Sequence, residues 1–174
     1  MGSEANMKLK ILSVLILLLS AVAFADNGPA SDTSGNAPGM APNFTERDIT
    51  NTATISLIKS RGKVVMLNFW GPWCPPCRAE VPALEKLQDI YRGKLLIIGA
   101  AVFSTEASVQ QFYKDYKMNY PVIWGSFDLM EKYGKISAFP TTVVINKKGE
   151  IVSTVVGSRT KDQYEDMVKP LLSE

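Results

Sequence analysis

The chain contains no histidine at all, and only two cysteines among its 174 residues. Without imidazole it cannot build a His-based catalytic triad or a histidine-ligated metal site, and Arg at position 78 rules out a Cys-x-x-Cys-His haem attachment site. Two cysteines without histidine also make a four-ligand zinc site untenable, so neither a metal nor a cofactor is expected. An excess of either charge is missing too. Removing residues 1–25 would take Lys8, Lys10 and Glu4 from totals of 19 basic and 17 acidic side chains, leaving 17 and 16. So even a balance offers no basic stripe for nucleic acid.

Long apolar runs are missing as well. The stretch from Ile11 to Phe24 is about 14 residues, short of the roughly 18–20 that cross a bilayer comfortably. Lys8 and Lys10 precede it and Ala23-Phe24-Ala25 closes it, the pattern of a secretory signal cleaved before Asp26; an uncleaved N-terminal anchor is the alternative. No cysteine follows the run, which excludes a lipoprotein anchor. Either outcome places the domain outside the cytoplasm, in a periplasm or its equivalent, free or held at the inner membrane.

Three segments are expected: residues 1–25 as leader, 26–42 as a Gly-, Pro- and Ser-rich flexible linker, and 43–174 as one folded domain. Phe44–Asp48 and Thr52–Ile58 read as a short β-hairpin. Lys63–Trp70 is a nearly continuous apolar run, hence a buried central strand. Pro75–Tyr91 is helical, with Val81, Leu84, Leu87 and Ile90/Tyr91 on one face and Gly93 as its stop. Leu95–Phe103 is a second buried strand, Glu106–Lys117 a helix with an aromatic stripe suited to core packing, and Pro121–Trp124 a short strand. Asp128–Tyr133 is a short helix. Thr141–Asn146 and Glu150–Val156 are strands around a Lys147-Lys148-Gly149 turn, read as a solvated tip. Thr160 with Gln163 starts a last helix reaching about Leu172. Together these predict an α/β fold, a mixed sheet flanked by helices.

Both thiols fall in "GPWCPPCRAEVP". A disulfide closing so small a ring restrains the unfolded chain very little. Two free buried cysteines would pack as small hydrophobes, but flanking prolines and a helix start suggest an exposed bend. Cys-x-x-Cys between a buried strand and a helix is instead the redox arrangement. A thiolate at Cys74 would face the positive end of the helix and its unpaired N–H groups. Pro75 suits the first helical position. Yet Pro75 and Pro76 remove two donors, leaving the amides of Cys77 and Arg78. A thiolate so weakly held destabilises the dithiol relative to the disulfide and makes the protein reducing, with Arg78 a partial compensation. Pro82 is expected to kink the helix, and Trp70 and Trp124 to pack in the core.

"VVMLNFWGPWCPPCRAEVPALEKL" followed by "AFPTTVVINKKGEIV" resembles the thioredoxin superfamily, specifically TlpA/ResA-type extracytoplasmic thiol–disulfide oxidoreductases, from about Pro42 to the C-terminus. The resemblance implies a thioredoxin-like fold with an N-terminal β-hairpin and a central insert, about Ser104–Gly125. It makes Cys74 the attacking thiol and Cys77 the resolving one, with Glu80, three residues on and on the same side of the helix, as the acceptor of the Cys77 proton. Asn68 stands where cytoplasmic thioredoxins carry a buried aspartate and cannot exchange that proton. Pro140 is expected to be cis, with the backbone of Phe139 offered to an extended client strand. Trp73, Pro75, Pro76, Phe139, Pro140 and Thr141 form the expected client-contact surface. The implied activity is reduction of disulfides in exported proteins, with apocytochrome c a candidate client and a membrane thiol carrier of the CcdA/DsbD kind as electron donor. A thiol oxidant or isomerase, and a non-enzymatic binding module switched by its thiol pair, are the alternatives.

Overall fold

The computed structural model describes residues 39–173; the leader and the linker as far as residue 38 lie outside the described residues. A five-stranded sheet is built around β3 (Val64–Trp70), with β4 (Leu95–Ala101) and β5 (Val122–Trp124) parallel on one side, and β6 (Thr141–Ile145) and β7 (Ile151–Val156) antiparallel on the other, in the order β5-β4-β3-β6-β7. Every residue of β3 is buried, as a strand covered on both faces requires.

Alternation sorts β3 between two cores. Val64, Met66 and Trp70 pack beneath helices α1 (Pro75–Ile90), α2 (Glu106–Asp115) and α4 (Lys161–Val168), while Val65, Leu67 and Phe69 pack on the side of α3 (Phe127–Lys132). Asn68 shares the parity of Met66 and Trp70, so a lone amide enters the α1 face of an otherwise apolar strand.

Helix α1 buries Cys77, Glu80, Val81, Leu84, Leu87 and Gln88, a stripe at helical spacing. Its aliphatic members each stabilise the packing by about 1.5–3 kcal/mol. Of the Ile90/Tyr91 pair expected to close that face, Tyr91 packs against the core and Ile90 is 56% exposed. Gln88, one turn on from Leu84, is buried because its amide bridges to β4, donating to the Leu95 carbonyl at 3.1 Å and accepting from the Ile97 amide at 2.8 Å.

The insert is a βα-unit in which α2 carries the chain from β4 to the parallel edge strand β5. Trp70 and Phe112 pack at 4.9 Å between ring centroids, so Val109 and Phe112 of the α2 stripe are core, with Tyr113 packed against them, while Tyr116 stacks on Phe112 from the exposed side. The hairpin of β1 (Thr45–Arg47) and β2 (Thr54–Ser56) forms its own two-stranded sheet. It is tied to the edge by Ile49 N–H to the Val122 carbonyl at 2.7 Å and Val122 N–H to Asp48 Oδ1 at 3.3 Å, which occupies the exposed backbone of a short edge strand.

Two expectations change. Residues 39–42, read as linker from their composition, bridge to the β6–β7 hairpin. Ala41 is fully buried and donates to the Gly149 carbonyl at 2.9 Å, while Ile151 donates to Gly39. An extended segment pairs with a sheet edge through its backbone whatever its side chains. Lys147, read as part of a solvated tip, donates to the Leu172 carbonyl at 2.9 Å and so fastens the C-terminal turn.

Candidate active site

Cys74 and Cys77 are joined as a disulfide, their Cα atoms 5.3 Å apart. Cys74 is the N-cap of α1, its backbone extended, with Pro75 and Pro76 opening the helix. Its sulfur accepts from the Cys77 amide at 3.3 Å. The Arg78 amide, expected to face the sulfur too, donates instead to the Cys74 carbonyl at 3.2 Å, since that carbonyl begins the intrahelical ladder. One amide is therefore aimed at the sulfur, fewer than the sequence reading allowed.

The bend is not as open as expected. Pro75 and Pro76 are exposed, but Cys74 is only 3% exposed and Cys77 1%. Trp73 and Phe139 meet edge to face beside the disulfide at 5.9 Å, and Cys74 Sγ lies 3.7 Å from the Phe139 carbonyl oxygen. Trp73 folds back over Gly71, where a Cβ would sit 2.4 Å from its indole nitrogen; only glycine leaves room there. A single long hydrogen bond to the Val102 carbonyl, 3.3 Å, holds the ring.

The Phe139-Pro140 peptide is cis, as the resemblance implied. The Pro140 carbonyl is held by the Gly157 amide at 2.8 Å. Thr141, grouped with the contact residues in the sequence reading, turns away: its hydroxyl donates to Ala138 at 2.7 Å and it is 2% exposed. Alternation along β6 gives Thr141 the parity of Val143 and Ile145, the face opposite α1.

Thr142 has the other parity and lies directly across from Asn68 in the β3–β6 ladder. There Asn68 Nδ2 donates to Thr142 Oγ1 at 2.9 Å and to Glu80 Oε1 at 2.8 Å. Tyr164, fully buried on α4, donates to Glu80 Oε2 at 2.7 Å and lies 3.0 Å from the Thr142 hydroxyl. Four side chains from four elements, β3, α1, β6 and α4, thus close a buried polar ring that holds the Glu80 carboxylate. Glu80 is 2% exposed. Burial raises its pKa to about 7, outweighing the hydrogen bonds from Tyr164 and Asn68 and the nearby Arg159 backbone and charge, all of which lower it. Burial and the Glu80 charge push the Tyr164 phenol up, so it stays protonated and can donate. Asn68 and Glu80 stood out in the sequence. Thr142 and Tyr164 did not, because Tyr164 is 84 residues from Glu80 and looks like one more aromatic on an amphipathic helix.

A stability prediction follows from the raised carboxyl. Because its native pKa lies above the unfolded one, Glu80 adds stability that is complete below about pH 4.5 and is lost as pH rises through about 7. At ~1.4 kcal/mol per pKa unit, the loss across that window is about 3 kcal/mol. Urea unfolding of the oxidised protein and of Glu80→Gln from about pH 4 to about pH 9 should show the wild type alone losing that amount. Parallel curves would mean that Glu80 is not neutralised by folding.

The Redoxin family profile matches residues 34–169. Among curated proteins, the thiol-disulfide oxidoreductase ResA of Halalkalibacterium halodurans is 34% identical over 169 residues, covering 94% of both chains. ResA of Oceanobacillus iheyensis is 35% identical over 159 residues, covering 88% of this chain and 83% of its own. Among solved structures, a thioredoxin-family thiol:disulfide interchange protein from Chlorobium tepidum superposes with a TM-score of 0.73 at 29% identity, over 79% of this chain and all but a fringe of its own, 98%. StoA of Bacillus subtilis superposes at 0.64 with 28% identity, over 79% of this chain and 100% of its own. Similarity of this extent to ResA proteins along nearly the whole chain, together with a helix-capping disulfide beside a cis-proline, means that the chain belongs to the Redoxin family, among its thioredoxin-like, ResA-type thiol–disulfide oxidoreductases.

Proposed function

We propose that the protein is a disulfide reductase acting on exported proteins. The reading rests chiefly on the single amide that supports the Cys74 sulfur, 3.3 Å away. Where neighbouring donors are few, the thiolate is weakly held and the dithiol gives up its electrons readily. In the forward reaction the Cys74 thiolate attacks a client disulfide. A Cys74–client bond forms, and the other client sulfur leaves as a thiolate. Cys77 then gives its proton to the Glu80 carboxylate and attacks Cys74, closing the internal disulfide and releasing the second client sulfur. The client gains two electrons and the protein loses two. Neither a metal nor an organic cofactor enters. A membrane thiol carrier of the CcdA/DsbD kind would return the electrons by the same exchange.

Client approach would follow the Phe139 carbonyl, with the backbone before cis-Pro140 pairing with an extended strand. Trp73, Pro75 and Pro76 would form the flank. The leader-like residues 1–25 support an extracytoplasmic location, free or anchored at the inner membrane. Oxidised apocytochrome c fits as a client, because two cysteines a few residues apart form a small, accessible ring.

The test is a reduction potential from equilibrium with glutathione, together with turnover of insulin disulfides. A reductase of this design is expected near the thioredoxin end of the scale, about −270 mV, and far from the roughly −120 mV of a strong oxidant. A value at the oxidising end, with catalysed oxidation of reduced protein, would establish the opposite direction of flow.

A further inference from the structure

We propose that the row of aromatic rings running from Trp73 through Phe139 and Phe103 to Phe127 is a client-selecting surface, one that takes a bulky apolar side chain flanking the client's reactive cysteine. The inference rests on the reading that Cys74 exchanges with protein disulfides, and it names the sequence feature such clients carry. The row starts at the reacting residue's neighbours: Trp73 precedes Cys74 in the chain, and the Phe139 backbone carbonyl oxygen lies 3.7 Å from Cys74 Sγ. The Phe139 ring meets Trp73 at 5.9 Å on one side and Phe103 at 5.9 Å on the other, and Phe103 meets Phe127 at 5.4 Å. All three contacts are edge-to-face, the arrangement aromatic pairs favour.

Trp73, Phe103 and Phe127 are 51%, 58% and 73% exposed. A contiguous exposed patch of this kind marks an interaction site more often than a scattered apolar residue does. Phe103 adds an independent sign, because its φ of +47° holds a bulky aromatic in the left-handed region. Such backbone outliers persist where the surrounding structure enforces them, and they gather at ligand-contact positions. Phe127 opens α3 while Leu129 and Met130 of the same helix are buried, so its ring is not needed to anchor the helix.

Between Phe103 and Phe127 the groove is floored by Met130 and Ile136, and the exposed Glu131 and Lys135 stand at its rim. One acid and one base cancel, so the groove selects for apolar volume rather than for charge. An extended client covers ~3.3 Å per residue. The steps of 5.9 and 5.4 Å beyond Phe139 therefore place the favoured side chain about two to four residues from the client cysteine.

The test uses the full-length chain carrying Cys77→Ser, reduced, and short peptides whose one cysteine is joined to thionitrobenzoate. Cys74 attacks the peptide sulfur and a Cys74–peptide bond forms. The peptide–thionitrobenzoate bond breaks, and coloured thionitrobenzoate leaves with the electron pair. Peptides with Phe or Leu two to four residues from the cysteine are compared with serine-substituted ones. The expected preference is ~10-fold or more, as burial of one large apolar side chain allows. Adding Phe127→Ser or Phe103→Ser should reduce that ratio to about two or less, and Phe127→Leu should restore most of it. An unchanged ratio in the serine variants, or none in the parent, overturns the proposal. So does loss, on Phe127→Ser, of binding to phosphatidylglycerol vesicles or of dimerisation with the ratio intact, which would give the row to a membrane or a second copy. If no peptide reacts faster than it does with free glutathione, exchange at Cys74 itself fails, and this inference falls with it. Ready reaction without preference removes the selecting surface alone.

Discussion

Replacing Cys77 by serine is expected to turn a cycling enzyme into a trap, leaving clients covalently attached to Cys74, while Cys74→Ser abolishes attachment and turnover together. The asymmetry comes from where α1 begins. Cys74 is the N-cap, with its sulfur turned to the Cys77 amide and lying 3.7 Å from the Phe139 carbonyl. Cys77 is inside the first turn and 1% exposed, where it can reach Cys74 but not an incoming protein. Loss of the nucleophile should lower insulin reduction by ~10³-fold or more. Loss of the resolving thiol should leave the first exchange intact and stop the second. Non-reducing gels after incubation with oxidised clients read both outcomes. Adducts that survive Cys74→Ser and vanish with Cys77→Ser would reverse the assignment. Because Cys74 itself is only 3% exposed, exchange also requires the bend around it to open locally.

The second large effect is expected at Glu80. Glu80→Gln keeps the shape of the side chain but removes the proposed base, and resolution of the mixed disulfide should slow by ~10²-fold, the low end of what a positioned general base contributes. In the wild type that step should accelerate as pH rises through about 7, where Glu80 ionises. In the variant it should rise only near the ordinary thiol range, about 8.5. Tyr164→Phe separates chemistry from scaffolding. It deletes the 2.7 Å bond to Glu80 Oε2, one of the influences that lower the carboxyl's pKa. The wild-type profile should therefore move to higher pH by about one unit while the maximal rate is largely kept. Rapid-quench measurement of client release across pH gives both results. An unshifted profile in Tyr164→Phe would mean that the ring of hydrogen bonds holds Glu80 in place without tuning it.

The contrast between what could be read along the chain and what could not follows from distance. The buried strand of Val64–Trp70, the helix opening at Pro75, the hairpin near Thr45 and the capped helix at Thr160 were legible because each rests on periodicity or on a cap spanning a few residues. Boundaries shifted where a tertiary contact intervened, as when residues 39–42 paired with the β6–β7 hairpin, and a polar Gln88 entered the buried face of α1 because β4 offers its amide two partners. Thr141 was misjudged for a similar reason. Adjacent threonines differ only in parity, and the face each one meets is set by strand pairing.

By itself the sequence determined the reacting pair, the helix that begins at it, the scarcity of amide donors left by Pro75 and Pro76, and the α/β class. All of these are local properties, fixed by neighbours within a turn or a strand. Only the tertiary structure decided that Cys74 is buried, that Glu80 stands inside a ring of Asn68, Thr142 and Tyr164, and that Trp73, Phe139, Phe103 and Phe127 meet ring to ring in one row. Burial and long-range hydrogen bonding arise when β3, β6, α1 and α4 close on one another. Until they do, Glu80 is a solvated carboxylate and Tyr164, 84 residues away, has nothing to donate to.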